Sequence, residues 1–170
     1  LNAPGIIIGG EIGTVSLTTA AERFPDAKIA NYQAPADAYL ALKAGKIDAV
    51  AYDRPPMEYA AAQNPEFIVL PDAIGVGHIA VGGPFKNREL MDHVNEFIKQ
   101  YRANGVYDEM YNRWVKSTNP QMPDIPKAEN PTGTIVIGFD PQNEPMSFLD
   151  ANNEACGFDA EFIKRLCLFL

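Results

Sequence analysis

Between residues 6 and 70 short apolar runs alternate with helical patterns, and no other feature restricts the folding of this chain so strongly. The most regular run is Ile47-Asp48-Ala49-Val50-Ala51-Tyr52. Gly45 stops a helical pattern before it, and Pro55-Pro56 opens another after it. Ile6 to Ile8, Ala27 to Asn31 and Phe67 to Leu70 read as three further strands. The helices between them run from Thr14, placed to cap, to about Phe24, and from Ala36 to Lys43 with Tyr39, Leu40 and Leu42 as apolar positions. Strands joined by single helices predict βαβ units around a parallel-rich sheet, so the fold class is α/β.

The second half is less regular. His78 to Val81 predicts one more strand. Asn87 to Ala103 predicts a long amphipathic helix, with Leu90, Val94, Phe97, Ile98 and Tyr101 at spacings of three and four. Asn104-Gly105 ends it, and Tyr107 to Val115 forms a second helix presenting Met110, Tyr111 and Trp114. From Thr118 to Gly133 the chain holds Pro120, Pro123, Pro126 and Pro131 with no apolar period, which predicts a stiff, extended linker. Beyond it come a strand at Thr134 to Phe139, a long turn at Asp140 to Asn153, and a helix from Gly157 to the end. There is no internal repeat.

Composition narrows the function. With 46% apolar and 21% charged residues over 170 positions, the chain is neither a disordered tail nor a coiled coil. A net charge of −8 gives no electrostatic reason to hold a phosphate backbone, so nucleic acid is not an expected partner. No apolar run approaches the length of about 20 residues that a membrane span needs. Cys156 and Cys167, about 16 Å apart along a helix, are too distant to pair, and read as a turn cysteine and a core cysteine. The opening Leu1-Asn2-Ala3-Pro4-Gly5 has no Met and no basic stretch before an apolar one, so no signal peptide is expected here. The closing Arg165 to Leu170 carries no helix stop, and both ends read as cut from something longer.

Several catalytic and cofactor patterns fail on context. Gly75-Val76-Gly77-His78-Ile79-Ala80 spells a dinucleotide fingerprint, but a strand rather than a helix is expected to follow it. Gly9 to Gly13 lacks the Lys and Ser/Thr that close a phosphate-binding P-loop. His78 and His93, the two histidines, stand in different elements, so neither a metal site nor any other cofactor is expected. No nucleophile elbow is present.

Three loops at strand ends remain, where α/β sheets place ligands. Glu11-Ile12-Gly13-Thr14-Val15-Ser16 offers a glycine and hydroxyls at a helix start, suited to a carboxylate or to plain helix capping. Tyr52-Asp53-Arg54 sets a carboxylate after the most regular strand, suited to a ligand ammonium group or to capping ahead of Pro55. Phe139 to Phe148 is a long turn of the kind that often carries function.

Three motifs together resemble the family 3 periplasmic solute-binding proteins, the amino-acid receptors of ABC importers. Ala41-Leu42-Lys43-Ala44-Gly45-Lys46-Ile47-Asp48-Ala49-Val50-Ala51-Tyr52-Asp53 looks like that family's second-lobe signature. Asp92 to Asn95 with Asn104 to Trp114 looks like its C-terminal helix pair. Gly138-Phe139-Asp140, Pro145-Met146-Ser147-Phe148 and Gly157-Phe158-Asp159 look like its N-terminal strand, loop and first helix. The resemblance implies a type II periplasmic-binding lobe (a βαβ sandwich) plus an incomplete second lobe. Its segments stand in an unusual order: lobe 2 at 1–75, the returning part of lobe 1 at 76–117, a linker at 118–132, and the start of a lobe 1 at 133–170. Either two such domains lie in tandem in a longer protein, or the last segment completes a permuted lobe 1.

The resemblance further implies binding of a small polar solute, most simply an amino acid, between lobes that close around it, in the periplasm or outside the cell. The residues implied are Glu11, Gly13, Thr14, Val15, Ser16, Tyr52 and Asp53 from lobe 2, with Asp140, Asn143 and Phe148 from lobe 1. Asp53 would meet an α-ammonium group. The family's Arg clamp for the α-carboxylate has no counterpart, since Arg54 does not correspond to it, and Val15 and Asn143 depart from the usual polar residue and aromatic. An ABC permease or a membrane sensor is the implied partner, and the incomplete lobe implies self-association. An enzyme is not expected, because Glu11 and Glu144 alone could serve as a catalytic acid, as in a dehydratase on this fold.

Overall fold

A computed structural model describes residues 1–84 and 86–170. The chain divides into two compact units, Leu1–Gly77 and His78–Leu170.

The first unit is built on a parallel sheet of β1 (Ile7–Glu11), β2 (Lys28–Tyr32) and β3 (Ala49–Val50), in the order β2-β1-β3. β1 lies in the middle, so it is paired along both edges, and its buried Ile8 stands opposite Ile29 on one side and Ala49 on the other. Helices α1 (Val15–Arg23), α2 (Pro35–Lys43) and α3 (Arg54–Gln63) complete the βαβ units. Ile8, Ala20 and Ala51 form the buried centre, with Ile6, Phe24 and Ile29 packed around it. Small residues set this spacing: a Cβ on Gly10 would lie 2.7 Å from the Ala51 carbonyl oxygen and 2.9 Å from Leu17. Gly45 ends α2 with φ +66°, and the Lys46 N–H returns to the Ala41 carbonyl at 2.9 Å, as the sequence predicts for a glycine stop.

The second unit joins α4 (Arg88–Ala103) and α5 (Val106–Trp114) to a small antiparallel sheet and α6 (Phe158–Phe169). That sheet is β4 (Gln142–Asn143), β5 (Ser147–Leu149) and β6 (Ala155–Cys156), in the order β4-β5-β6. One core holds both ends of this unit together: Val94, Phe97, Tyr101, Met110 and Trp114 from α4 and α5 pack with Phe158 and Leu166 from α6. Gly105, at φ +82°, makes the sharp entry into α5.

Three predicted strands are absent. Phe67–Leu70, His78–Val81 and Thr134–Phe139 belong to no ladder, and Ile68, Ile79 and Val136 are largely exposed. All three have β-forming side chains, but a strand exists only where another backbone accepts from its N–H groups and donates to its C=O groups. The predicted strand Ile47–Tyr52 pairs through Ala49–Val50 alone. The predicted long turn Asp140–Asn153 is instead largely a hairpin, with Gln142 opposite Phe148 and Asn143 opposite Ser147. Cys156 and Cys167 are both free; Cys167 lies exposed near the end of α6 rather than in the core. Among the described residues no helix is long and apolar enough to cross a membrane.

Candidate functional site

Seven of the residues singled out in the sequence lie around the C-terminal ends of β1 and β3. Parallel strands end side by side, so the loops that follow them open at one edge of the sheet. After β1, Gly13 takes φ +82° and lets the chain turn into α1. Thr14 caps that helix: its Oγ1 accepts the Leu17 N–H at 3.4 Å and donates to the Glu11 carbonyl at 2.7 Å. Val15, in the first turn, is 78% exposed and makes no core contact.

Asp53 stands after β3, at the start of α3. It occupies the N-cap position of α3 but makes no side-chain capping bond. Its Oδ1 instead accepts the Ser16 hydroxyl at 2.8 Å, tying the loop after β3 to the first turn of α1. Next to it the Tyr52 hydroxyl donates to Glu11 Oε2 at 3.0 Å. Burial raises the Tyr52 pKa, and the Glu11 hydrogen bond and the charges of Glu11 and Asp53 raise it further, so the phenol stays protonated as a donor.

Neither carboxylate has a basic partner among the described residues. Arg54, the nearest cation in sequence, is turned away: it donates to the Leu70 and Pro71 carbonyls at 3.3 and 2.8 Å and pairs with Glu58. The edge of this unit therefore presents Glu11 and Asp53 without a basic partner, beside the turn at Gly13.

Tyr39 joins this cluster, although its sequence pattern marks it only as an apolar position on α2. Its hydroxyl is buried without a hydrogen-bond partner. Burial raises its pKa and the nearby Asp53 charge adds to the shift. A helix residue read by its ring alone conceals where its hydroxyl ends, and no sequence signal marks that.

The second unit does not gather its three predicted residues into one site. Asp140 accepts the Gln142 N–H at 3.0 Å and so shapes its own turn. The hairpin register puts Asn143 and Phe148 on opposite faces. Phe148 packs edge-on against Trp114, with centroids 6.2 Å apart, as a side chain of the core. Asn143 Oδ1 is buried and unpartnered.

The unit's most connected polar group is Glu161, to which the sequence reading assigns no role. Fully buried, its carboxylate accepts from Arg113 at 2.8 and 2.9 Å, from Arg165 at 2.7 Å and from the Trp114 indole at 2.6 Å. The i, i+4 pair Glu161–Arg165 was visible in the sequence, but a surface ion pair has the same spacing. Among the described residues no group of His, Cys, Asp or Glu could hold a metal ion.

Compared with known proteins, this chain is related to amino-acid-binding proteins of the family 3 solute-binding type and carries part of the type II periplasmic-binding fold. In particular, it is 25% identical over 104 residues to the ABC transporter glutamine-binding protein of Bacillus subtilis (strain 168), covering 61% of this chain and 38% of that protein. It is 27% identical over 114 residues to the arginine-binding periplasmic protein of Mannheimia haemolytica, covering 64% and 48%. Among solved structures it is similar to an ancestral amino acid-binding protein that is a precursor of cyclohexadienyl dehydratase, with TM-score 0.54 and 29% identity over 68% of this chain and 49% of that one. An ancestral cationic amino acid solute-binding protein matches with TM-score 0.51 at 30% identity, with the same coverage. No family model matches the chain. The matched region spans less than half the length of each of these proteins.

Proposed function

We propose that this chain supplies part of a receptor for a small polar solute, most simply an amino acid, serving an ABC importer in the periplasm or outside the cell. The observation that carries this reading is the Asp53 carboxylate. It stands at a helix N-cap without capping, is oriented by Ser16, and has no cation to neutralise it. A ligand ammonium group supplies that missing charge, and Gly13, Thr14 and Ser16 lie close in sequence to hydrogen-bond the rest of the ligand. Glu11, held by Tyr52, adds a second negative group and favours a polar or cationic amino acid.

On this reading residues 1–75 are lobe 2, residues 76–117 return to lobe 1, residues 118–132 link, and residues 133–170 begin a lobe 1. Binding is reversible, and no group here is assigned to catalysis. The likeness to a dehydratase precursor makes Glu11→Gln a useful control, since loss of any measured turnover with binding retained would make the chain an enzyme.

A thermal-shift screen against the common L-amino acids tests the proposal. A ligand at 100 times its dissociation constant adds about 2.7 kcal/mol of stability, so even weak binders register. A shift that disappears in Asp53→Asn, with the unliganded melting temperature unchanged, supports the assignment. A shift that survives Asp53→Asn overturns the role of Asp53, and no shift with any amino acid overturns binding by this chain alone.

A further inference from the structure

We propose that Tyr39 is a positioning residue for Asp53, its hydroxyl taking over the carboxylate when a bound ligand draws Ser16 away. This exchange rests on the reading of Asp53 as the site of a ligand ammonium group. A serine hydroxyl has one proton to give. In the ligand-free chain Ser16 gives it to Asp53 Oδ1 at 2.8 Å and has none left for a ligand. That bond is exposed, so a ligand carboxylate or carbonyl can compete for the same proton. Once Ser16 turns to the ligand, Asp53 loses the one donor it has among the described residues, since it makes no capping bond to α3. A carboxylate held by nothing moves between rotamers, and an ammonium group then meets it at an entropic cost.

Tyr39 is placed to prevent that. Its hydroxyl is buried and, among the described residues, has no partner, so it carries a proton with no acceptor. Shut off from water inside Leu1–Gly77, it has to find an acceptor within that unit. Asp53 is the charged group near enough to act on the phenol, whereas Glu11 already takes the Tyr52 hydroxyl at 3.0 Å. Burial and the Asp53 charge both keep the phenol protonated, and therefore a donor. A carboxylate accepts about four hydrogen bonds, so Asp53 has room for a second hydroxyl. The remaining gap closes when Asp53, released by Ser16, turns towards α2.

The first test is a double-mutant cycle on the intact, ligand-free chain, read by chemical denaturation and circular dichroism. Ser16→Ala releases Asp53, and Tyr39 then compensates; in a Tyr39→Phe background nothing does. Ser16→Ala is therefore expected to lower the folding equilibrium constant about threefold more in Tyr39→Phe than in the parent chain. The excess is expected to vanish with Ser16→Thr, which keeps the hydroxyl, and in an Asp53→Ala background. Additive effects overturn Tyr39 as a donor to Asp53, as does an excess that persists in Asp53→Ala. The second test titrates the common L-amino acids into the parent chain and Tyr39→Phe by calorimetry. An amino acid that binds the parent chain is expected to bind Tyr39→Phe about tenfold more weakly, with the unliganded melting temperature no lower. Equal affinity overturns the exchange and leaves the ammonium site standing. No binding to the parent chain overturns the ligand reading, and the exchange with it.

Discussion

At the scale of single residues, chemistry follows from which groups find partners. Tyr39 carries a buried hydroxyl with none. An unsatisfied buried hydroxyl costs about 1–3 kcal/mol, so Tyr39→Phe is expected to leave the unliganded chain as stable as before or up to about 1 kcal/mol more stable, read by chemical denaturation. A clear destabilisation would mean the hydroxyl is satisfied in solution. Asp159, half-buried near the start of α6, has its pKa pushed up to about 6 by burial. A raised carboxyl pKa means the folded chain holds this proton more tightly than the unfolded one. Stability from this group is therefore fully present below the ordinary carboxylate range and is lost as pH climbs from there to about 6, then levels off. Asp159→Asn is expected to flatten that fall and add on the order of 1 kcal/mol at pH 7, allowing for its partial exposure to water. Melting curves from pH 4 to 8 decide it, and an unchanged profile would place the titration elsewhere.

At the scale of elements, helices were legible and several strands were not. A helix satisfies its backbone within itself, so Asn87 to Ala103 could be read from apolar spacing and Asn104-Gly105 alone. The structure returns that helix with Asn87 as its cap. A strand depends on a neighbour that local sequence does not name. Thus Thr134–Phe139 reads as a strand and stands unpaired, while the turn read at Asp140–Asn153 holds two strands of a hairpin. Glu161 ties α6 to α5 alongside the apolar core they share. Glu161→Ala leaves Arg113, Arg165 and the Trp114 indole without their common acceptor, and is expected to cost about 3 kcal/mol in the second unit. In the first unit, Gly10→Ala drives a Cβ to 2.7 Å from the Ala51 carbonyl and is expected to cost about 1–3 kcal/mol.

At the scale of the whole molecule, those two substitutions separate the units. Each unit has its own core, and the single tryptophan, Trp114, lies in the second. Indole fluorescence therefore reports on residues 78–170, whereas far-ultraviolet circular dichroism reports on both units. Gly10→Ala is expected to move part of the dichroism transition and spare the fluorescence transition, and Glu161→Ala to move the fluorescence transition. If both probes shift together in both variants, the chain unfolds as one cooperative body.

The sequence alone determined the α/β class, the parallel βαβ unit at the start, the paired helices α4 and α5, and the capping of α1 by Thr14. Each is fixed by short-range bonding or by apolar spacing within one element. It also located Glu11 and Asp53 at strand ends, because chain direction in a parallel sheet brings those ends to one edge. Tertiary structure alone decided that Asp53 binds Ser16 rather than capping α3, that Tyr39 directs a bare hydroxyl into the same cluster, and that Glu161 is buried among two arginines and a tryptophan. Those outcomes depend on which groups from distant parts of the chain meet, and on how far their meeting excludes water.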